Sequence, residues 1–133
     1  MSYLKWNLDR QNGINIIDPT GDFYIIGDEG EIVEKFTNID VFFEVLVEGA
    51  NNIKIGKSVV VDPQIEPNEF HFDYQDRILQ ITYGRQQVTI LNRNKFVEDV
   101  FEAVTELLSI LDQQSEKEQT PKRSLVKLRE YSI

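Results

Sequence analysis

A short run of acidic residues is the first feature of this sequence that could do chemistry. Asp28, Glu29 and Glu31 lie within the segment DFYIIGDEGEIVEKF, which spans residues 22–36. Neighbouring carboxylates can bind a cation or exchange protons with a substrate, but a calcium loop requires oxygen ligands at spaced positions and a more distant glutamate. The segment lacks that spacing, and glycine beside aspartate is typical of a turn. The sequence therefore predicts the tip of a β-hairpin whose acidic side chains face water.

Other residue types that carry catalysis or bind metals are sparse. The single histidine, His71, alternates with Phe70 and Phe72 and is expected on the surface of a strand. A zinc site takes three or four ligands, and the chain has no cysteine. No serine lies in a G-x-S-x-G pattern, and no P-loop or G-x-G-x-x-G motif occurs.

We therefore predict no catalytic residue, no metal site and no cofactor, and expect that the protein is not an enzyme. One alternative stays open at this point. The chain has 23 acidic residues, and whether two of them meet in space cannot be read from their spacing. A carboxylate-dependent or metal-assisted small enzyme is thus the second hypothesis.

The charge of the chain is unevenly distributed and bears on its partners. The net charge is −9, but residues 1–116 carry 9 Lys/Arg against 21 Asp/Glu, whereas residues 117–133 carry 5 against 2. An acidic body repels nucleic-acid phosphates and anionic lipids, so we expect no nucleic acid and no membrane, and favour a basic protein partner. No apolar run approaches the ~20 residues of a membrane span, and no signal-peptide pattern begins the chain. These features predict a cytoplasmic protein.

The elements that position these residues are predicted mainly from the alternation of apolar residues. In the first part we expect a strand at 4–8, a hairpin turn at 11–13, a return strand at 14–18, a turn at 18–22, and strands at 23–26 and 32–36. Residues 37–49 fit either a strand or a helix that starts at Thr37 and stops at Gly49, and the helix is favoured. Further on we expect a strand at 57–62, a three-stranded meander from Asn68 to Leu91 with turns at Gln75–Asp76 and Gly84, and a long helix capped by Asn94.

We therefore predict one α+β domain over residues 1–114. It has an antiparallel sheet of about six to eight strands, one short helix near 38–49, and one long helix near 94–113 packed on a sheet face. Residues 115–133 are a polar linker and a basic tail, and the closing SLVKLREYSI fits a docked helix, a strand or a frayed end.

The order of these features resembles small bacterial α+β proteins of toxin-immunity type. The segments that carry the resemblance are GDFYIIGDEGEIVE, NIDVFFEVLVEGANNI, DPQIEPNEFHFDYQDRILQITYGRQQVTI and NKFVEDVFEAVTELL. The resemblance implies a cofactor-free binding protein whose acidic face occupies the basic active site of a toxin.

The candidate partner-binding residues are acids expected at turn tips and on the meander: Asp28, Glu29, Glu31, Glu66, Glu69, Asp73 and Asp76. A carboxylate-rich surface can associate rapidly with a basic cleft. A third hypothesis is a self-associating structural subunit, such as a homodimer, that uses exposed sheet edges.

Overall fold

Seven antiparallel strands and three helices make up the described part of the chain. The computed structural model describes residues 2–11, 13–114 and 123–131. The strands are β1 (Leu4–Leu8), β2 (Thr20–Ile26), β3 (Glu29–Asn38), β4 (Val59–Val61), β5 (Phe70–Gln75), β6 (Ile78–Tyr83) and β7 (Gln86–Ile90). The helices are α1 (Ile39–Ile53), α2 (Arg93–Gln114) and α3 (Arg123–Tyr131). The predicted α+β class is confirmed.

The sheet consists of two meanders that meet at one internal boundary. The strand order is β1-β2-β3-β7-β6-β5-β4, so β1 to β3 and β4 to β7 each pair with their neighbours in sequence. The predicted meander over β5, β6 and β7 is confirmed. The sheet is open, with β1 and β4 at its edges.

One face of the sheet carries the core, and the helices contact that face. Leu4, Phe23, Ile81 and Val88 are buried there, and α1 lies against β2, β4 and β5. Helix α2 lies against α1 and β1, and α3 lies against α1. The side chains that alternate with the core residues form what we call the helix-free face, with Lys5, Asn7, Tyr24, Ile26, Glu31, Val33, His71, Asp73, Gln80 and Thr82.

The ambiguous segment after Thr37 is helical, as favoured, but its boundaries differ from the prediction. Helix α1 starts after Asn38, and Thr37 lies in β3 with a buried hydroxyl that has no hydrogen-bond partner in the described structure. Gly49 does not end the helix. A Cβ atom at this position would lie 2.5 Å from ring atoms of Phe72, so the glycine allows close packing of α1 on β5.

The long helix begins two residues earlier than predicted. Asn92, not Asn94, is the cap, because its side-chain oxygen accepts a hydrogen bond from the backbone N of Lys95 at 3.0 Å. The side chain of Asn94 instead accepts from the Arg93 guanidinium at 3.4 Å. Both asparagines suit a cap by type, so residue type alone does not distinguish them.

The predicted return strand at 14–18 is wrong. Strand β1 pairs instead with β2, where Trp6 lies opposite Phe23, and residues 14–18 form a loop. The side-chain oxygen of Asn15 accepts hydrogen bonds from the backbone N of Ile17 at 3.1 Å and of Asp18 at 3.0 Å. These local bonds satisfy backbone donors that a strand would have paired. The turn predicted at 18–22 is also wrong, since β2 already begins at Thr20.

The closing segment forms α3, which corresponds to the docked helix among the three forms considered. Leu125 and Leu128 are buried, and Arg129 Nη2 lies 2.7 Å from Asp112 Oδ1. Lys127 Nζ lies 3.0 Å from Glu44 Oε1 on α1. The basic end of the chain thus docks on acidic residues of the body. Of the predicted polar linker and tail at 115–133, residues 115–122 and 132–133 lie outside the described residues.

The boundary between the two meanders, which we call the seam, combines two backbone pairs with hydrogen bonds from one side chain. Strands β3 and β7 pair at Glu29 with Thr89 and at Gly30 with Val88. Beyond these pairs the Gln86 amide bridges the strands, accepting from Val33 N at 2.8 Å and donating to Val33 O at 3.2 Å.

Candidate functional site

The seven acids predicted to bind a partner lie in three separate places. Asp28, Glu29 and Asp76 lie at what we call the α2 end of the sheet, formed by residues 27–29, 75–78 and 91–94. Glu66 and Glu69 lie at the opposite end, and Glu31 and Asp73 lie on the helix-free face. All except the half-buried Glu66 are exposed. Their role in partner binding stays a prediction.

Asp28 connects three segments of the chain at the α2 end. Its Oδ2 atom accepts hydrogen bonds from the Tyr3 hydroxyl and from the Leu91 backbone N, both at 2.8 Å. The Asn92 backbone N donates to the Tyr3 hydroxyl at 3.3 Å. The start of β1, the β2–β3 turn and the start of α2 therefore meet at this carboxylate.

The electrostatics of this cluster are those of a structural contact. The hydrogen bonds from Leu91 and then from Tyr3 lower the pKa of Asp28. Burial, followed by the hydrogen bond to Asp28, raises the pKa of Tyr3. Acid-base catalysis near neutral pH works best with groups whose pKa lies close to 7, and both groups here are shifted away from it.

A mostly polar cavity of about 640 Å³ adjoins this cluster. Arg93 forms one wall, since its guanidinium lies over the Tyr74 ring at 4.8 Å and donates to the Ile53 carbonyl at 3.3 Å. Arg77 forms another wall, in the turn between β5 and β6, where Asp76 and Arg77 both have positive φ. Within the described part of the chain the Arg77 guanidinium makes no hydrogen bond or ion pair, so it could hold a small anionic group.

At the opposite end of the sheet, the carboxylates of Glu34 and Glu66 interact, which the sequence did not predict. Burial and the charge of Glu66 raise the pKa of Glu34, which lies on the core face of β3 opposite Phe23. Burial and these two carboxylates raise the pKa of Tyr83 as well. Glu34 was missed because alternation alone does not show that the core face is partly polar at this position.

Phe36 has an unusual position on β3. Glu34 pairs with Phe23 and Thr37 pairs with Gly21, so Lys35 and Phe36 together lie opposite Asp22 in a β-bulge. Phe36 has a φ of 53° and is 86% exposed, and its backbone N donates to Asp22 Oδ1 at 3.0 Å. The two-residue period places Phe36 in phase with Ile32, facing the core, and the bulge reverses that phase.

The second large cavity, of about 790 Å³, runs along the outer surface of α2. We call it the α2 groove. It is lined mainly by apolar surface, including Val97, Phe101 and Ile110, which are half-buried. The remaining lining residues are Lys54, Glu98, Glu102, Thr105, Glu106 and Ser109. Val97 and Phe101 belong to the apolar stripe of α2, but only the part of that stripe nearer the core, such as Val100 and Val104, is fully buried.

Neither a metal-binding cluster nor a membrane-spanning helix is found among the described residues. Among residues 2–11, 13–114 and 123–131 no group of three or more His, Asp or Glu residues is placed to hold a metal ion. His71 is exposed on the helix-free face. No described helix is long and apolar enough to cross a membrane. Comparison of the chain with protein-family models, with curated proteins and with solved structures gave no match.

Proposed function

We propose that this chain is a non-enzymatic protein-binding module that inhibits a basic partner protein, as an immunity-type inhibitor does. The observation that carries the proposal is Phe36, which combines high exposure with a left-handed backbone conformation. Aromatic side chains are enriched in protein interfaces. Phe36 would be the anchor that the partner buries.

Neither property of Phe36 stabilises the isolated fold. A buried phenylalanine gains ~1.5–3 kcal/mol that an exposed one does not. The left-handed conformation costs a residue with a side chain roughly 1–2 kcal/mol. Strained positions of this kind are concentrated at functional sites. Burial of the Phe36 ring in a partner would recover the free energy of burying a phenylalanine side chain.

The charge of the body supports a basic partner. Residues 1–116 contain 21 acidic and 9 basic residues, and the exposed acids lie at both ends of the sheet and on the helix-free face. Such a spread produces long-range attraction and fast, salt-dependent association. In this proposal the acids accelerate the encounter, and Phe36 fixes the contact.

The test is affinity capture from an extract of the source organism, with the intact chain and with the Phe36→Gly variant as baits, at low and high salt. We expect the intact chain to retain one stoichiometric basic protein at low salt and less of it at high salt. Phe36→Gly should lose it. Glycine accepts a positive φ without strain, so the loss would not reflect unfolding.

Two further variants serve as controls for this capture. Phe36→Leu keeps an apolar side chain and should retain part of the binding. Ile55→Ser removes another exposed apolar side chain, in the turn after α1, and should retain all of it. Equal retention by Phe36→Gly and the intact chain, or no partner at either salt concentration, would contradict the proposal.

The predicted acids are best tested in pairs that each remove two charges. The pairs are Glu29→Gln with Asp76→Asn, Glu66→Gln with Glu69→Gln, and Glu31→Gln with Asp73→Asn. If the acids act at long range, each pair should slow association with the captured partner similarly and reduce its salt dependence. A loss confined to one pair would locate a direct contact there, and unchanged kinetics for all three would exclude these residues from binding.

A further inference from the structure

We infer that the α2 groove binds a basic amphipathic helix of a partner protein. The groove lies on the outer surface of α2, and Phe36 projects from the end of β3 beside Asp22. The inference therefore goes beyond the Phe36 contact and stands without it.

The floor of the groove has the shape and chemistry of a helix-binding surface. Val97 and Phe101 lie one turn apart on α2 and are half-buried, whereas their neighbours toward the core, Val100, Val104 and Leu107, are fully buried. The groove follows α2 from Val97 to Ile110, which corresponds to roughly 20 Å at the rise of an α-helix. A helix of about four turns lying along α2 would cover this length and bury the exposed parts of Val97 and Phe101.

The charges of the groove specify a basic occupant. Glu98, Glu102 and Glu106 are spaced four residues apart and so form one row beside the apolar floor. In the described structure none of the three makes a hydrogen bond or an ion pair. Lys54 is the single basic residue in the lining, so the groove is negative on balance. Lysine or arginine on the flank of a bound helix would face this row.

The described chain does not supply an apolar occupant of its own. Leu125 and Leu128 of α3 are already buried. Residues 115–122, which connect α2 to α3 in sequence, read SEKEQTPK and contain no aliphatic or aromatic side chain apart from the ring of Pro121. These two segments therefore do not supply the apolar side chains that would fill the groove, and the proposal assigns that role to a partner protein.

The test uses fluorescence anisotropy with a labelled helical peptide of about five turns. The peptide has leucine along one face and lysine on both flanks. We expect it to bind the full chain with an affinity that falls as salt is added. Phe101→Ser should weaken binding about tenfold, as should the combined change Glu98→Gln, Glu102→Gln and Glu106→Gln.

The controls separate a specific groove from general attraction between an acidic protein and a basic peptide. A peptide of the same composition in non-amphipathic order should bind at least about tenfold more weakly. The triple variant Glu31→Gln, Glu69→Gln and Asp73→Asn removes equal charge from the helix-free face and the opposite end of the sheet, and it should change the affinity less than about twofold. Phe36→Gly should leave peptide affinity unchanged, even if it abolishes capture of the partner described above.

Three results would overturn the inference. The first is no peptide binding, and the second is equal weakening by the two triple variants. The third is a concentration-dependent mass in sedimentation that Phe101→Ser returns to the monomer value, since the occupant would then be a second copy of this chain.

Discussion

At the scale of single residues, Asp28 gives the stability of the fold a defined pH dependence. Its folded-state pKa lies below the ordinary value of 3.8 because Leu91 and Tyr3 donate hydrogen bonds to the ionised carboxylate. The folded state therefore favours the charged form. The resulting stabilisation is fully present above about pH 4 and is lost as the pH falls through the lowered pKa.

We expect Asp28→Asn to lower the free energy of unfolding at neutral pH, with a difference from the unaltered chain that shrinks as the solution is acidified below pH 4. Urea denaturation at a series of pH values measures it. Glu29→Gln is the matched control, since it removes the same charge from an exposed neighbour and should have little effect. A difference that stayed constant with pH would show that the hydrogen bonds do not depend on the charge of Asp28.

Phe36 allows a second prediction at this scale. Phe36→Gly relieves a left-handed backbone and removes an exposed ring, so it should raise the free energy of unfolding by about 1 kcal/mol. Phe36→Leu keeps the strain and should change it by less than about 0.5 kcal/mol. Thermal and urea denaturation of the three proteins measure this. Destabilisation by glycine would mean that the ring contributes to the fold, and would remove the main argument for an interface at this residue.

Individual residues also show why the site was only partly predictable. Asp28 was correctly placed at a hairpin turn, because glycine and aspartate favour turns through local backbone preferences. Its bonds to Tyr3 and Leu91 join residues far apart in sequence, which no local pattern reports. Phe36 was assigned to a strand, but one bulge opposite Asp22 reversed its direction.

At the scale of secondary structure, the strands and long helices were predictable where one periodicity extended over several residues. Leu4, Trp6 and Leu8 alternate without interruption, and β1 matches its predicted bounds. The prediction failed at residues 14–18, where the bonds to the Asn15 side chain compete with pairing. It also failed at Gly49. This glycine was expected to end the helix, but it lies within α1 and allows the helix to pack closely on Phe72 of β5.

We expect Gly49→Ala to lower the free energy of unfolding by about 1–3 kcal/mol. Alanine is favoured over glycine within a helix by roughly 1 kcal/mol, but here its Cβ atom would meet the Phe72 ring at 2.5 Å. Urea denaturation measures the net change in the free energy of unfolding that results from these two opposing effects. Glu48→Ala, at the exposed neighbouring position, should be close to neutral. If Gly49→Ala proved stabilising, the helix would have room to move away from β5.

At the scale of the whole molecule, the basic end of the chain is part of the folded body. Leu128 is completely buried although it lies only five residues from the last residue of the sequence. Lys127 and Arg129 of α3 meet Glu44 and Asp112, which reduces the repulsion within an acidic body. The sequence left this segment open because a short apolar pair fits a helix or a strand equally well.

Leu128→Ala should destabilise the whole chain by about 2–5 kcal/mol, as expected for a buried leucine that leaves a cavity. Val126→Ala, on the same helix but 41% exposed, should change the free energy of unfolding by less than about 0.5 kcal/mol. Both are measured by urea denaturation. Equal and small effects would mean that α3 detaches before the body unfolds.

The seam between the two meanders has a consequence for the order of events in folding. Within each meander, strands pair with neighbours in sequence, so their loops close at low entropic cost. Pairing of Glu29 with Thr89 instead joins β3 to β7, which are separated in sequence by α1 and three strands. Contacts between residues distant in sequence form more slowly, so we expect the meanders to form first and to join last. The hydrogen bonds between the Gln86 side chain and Val33 would then form last. Hydrogen exchange should therefore find the Val33 amide less protected than the amides inside either meander.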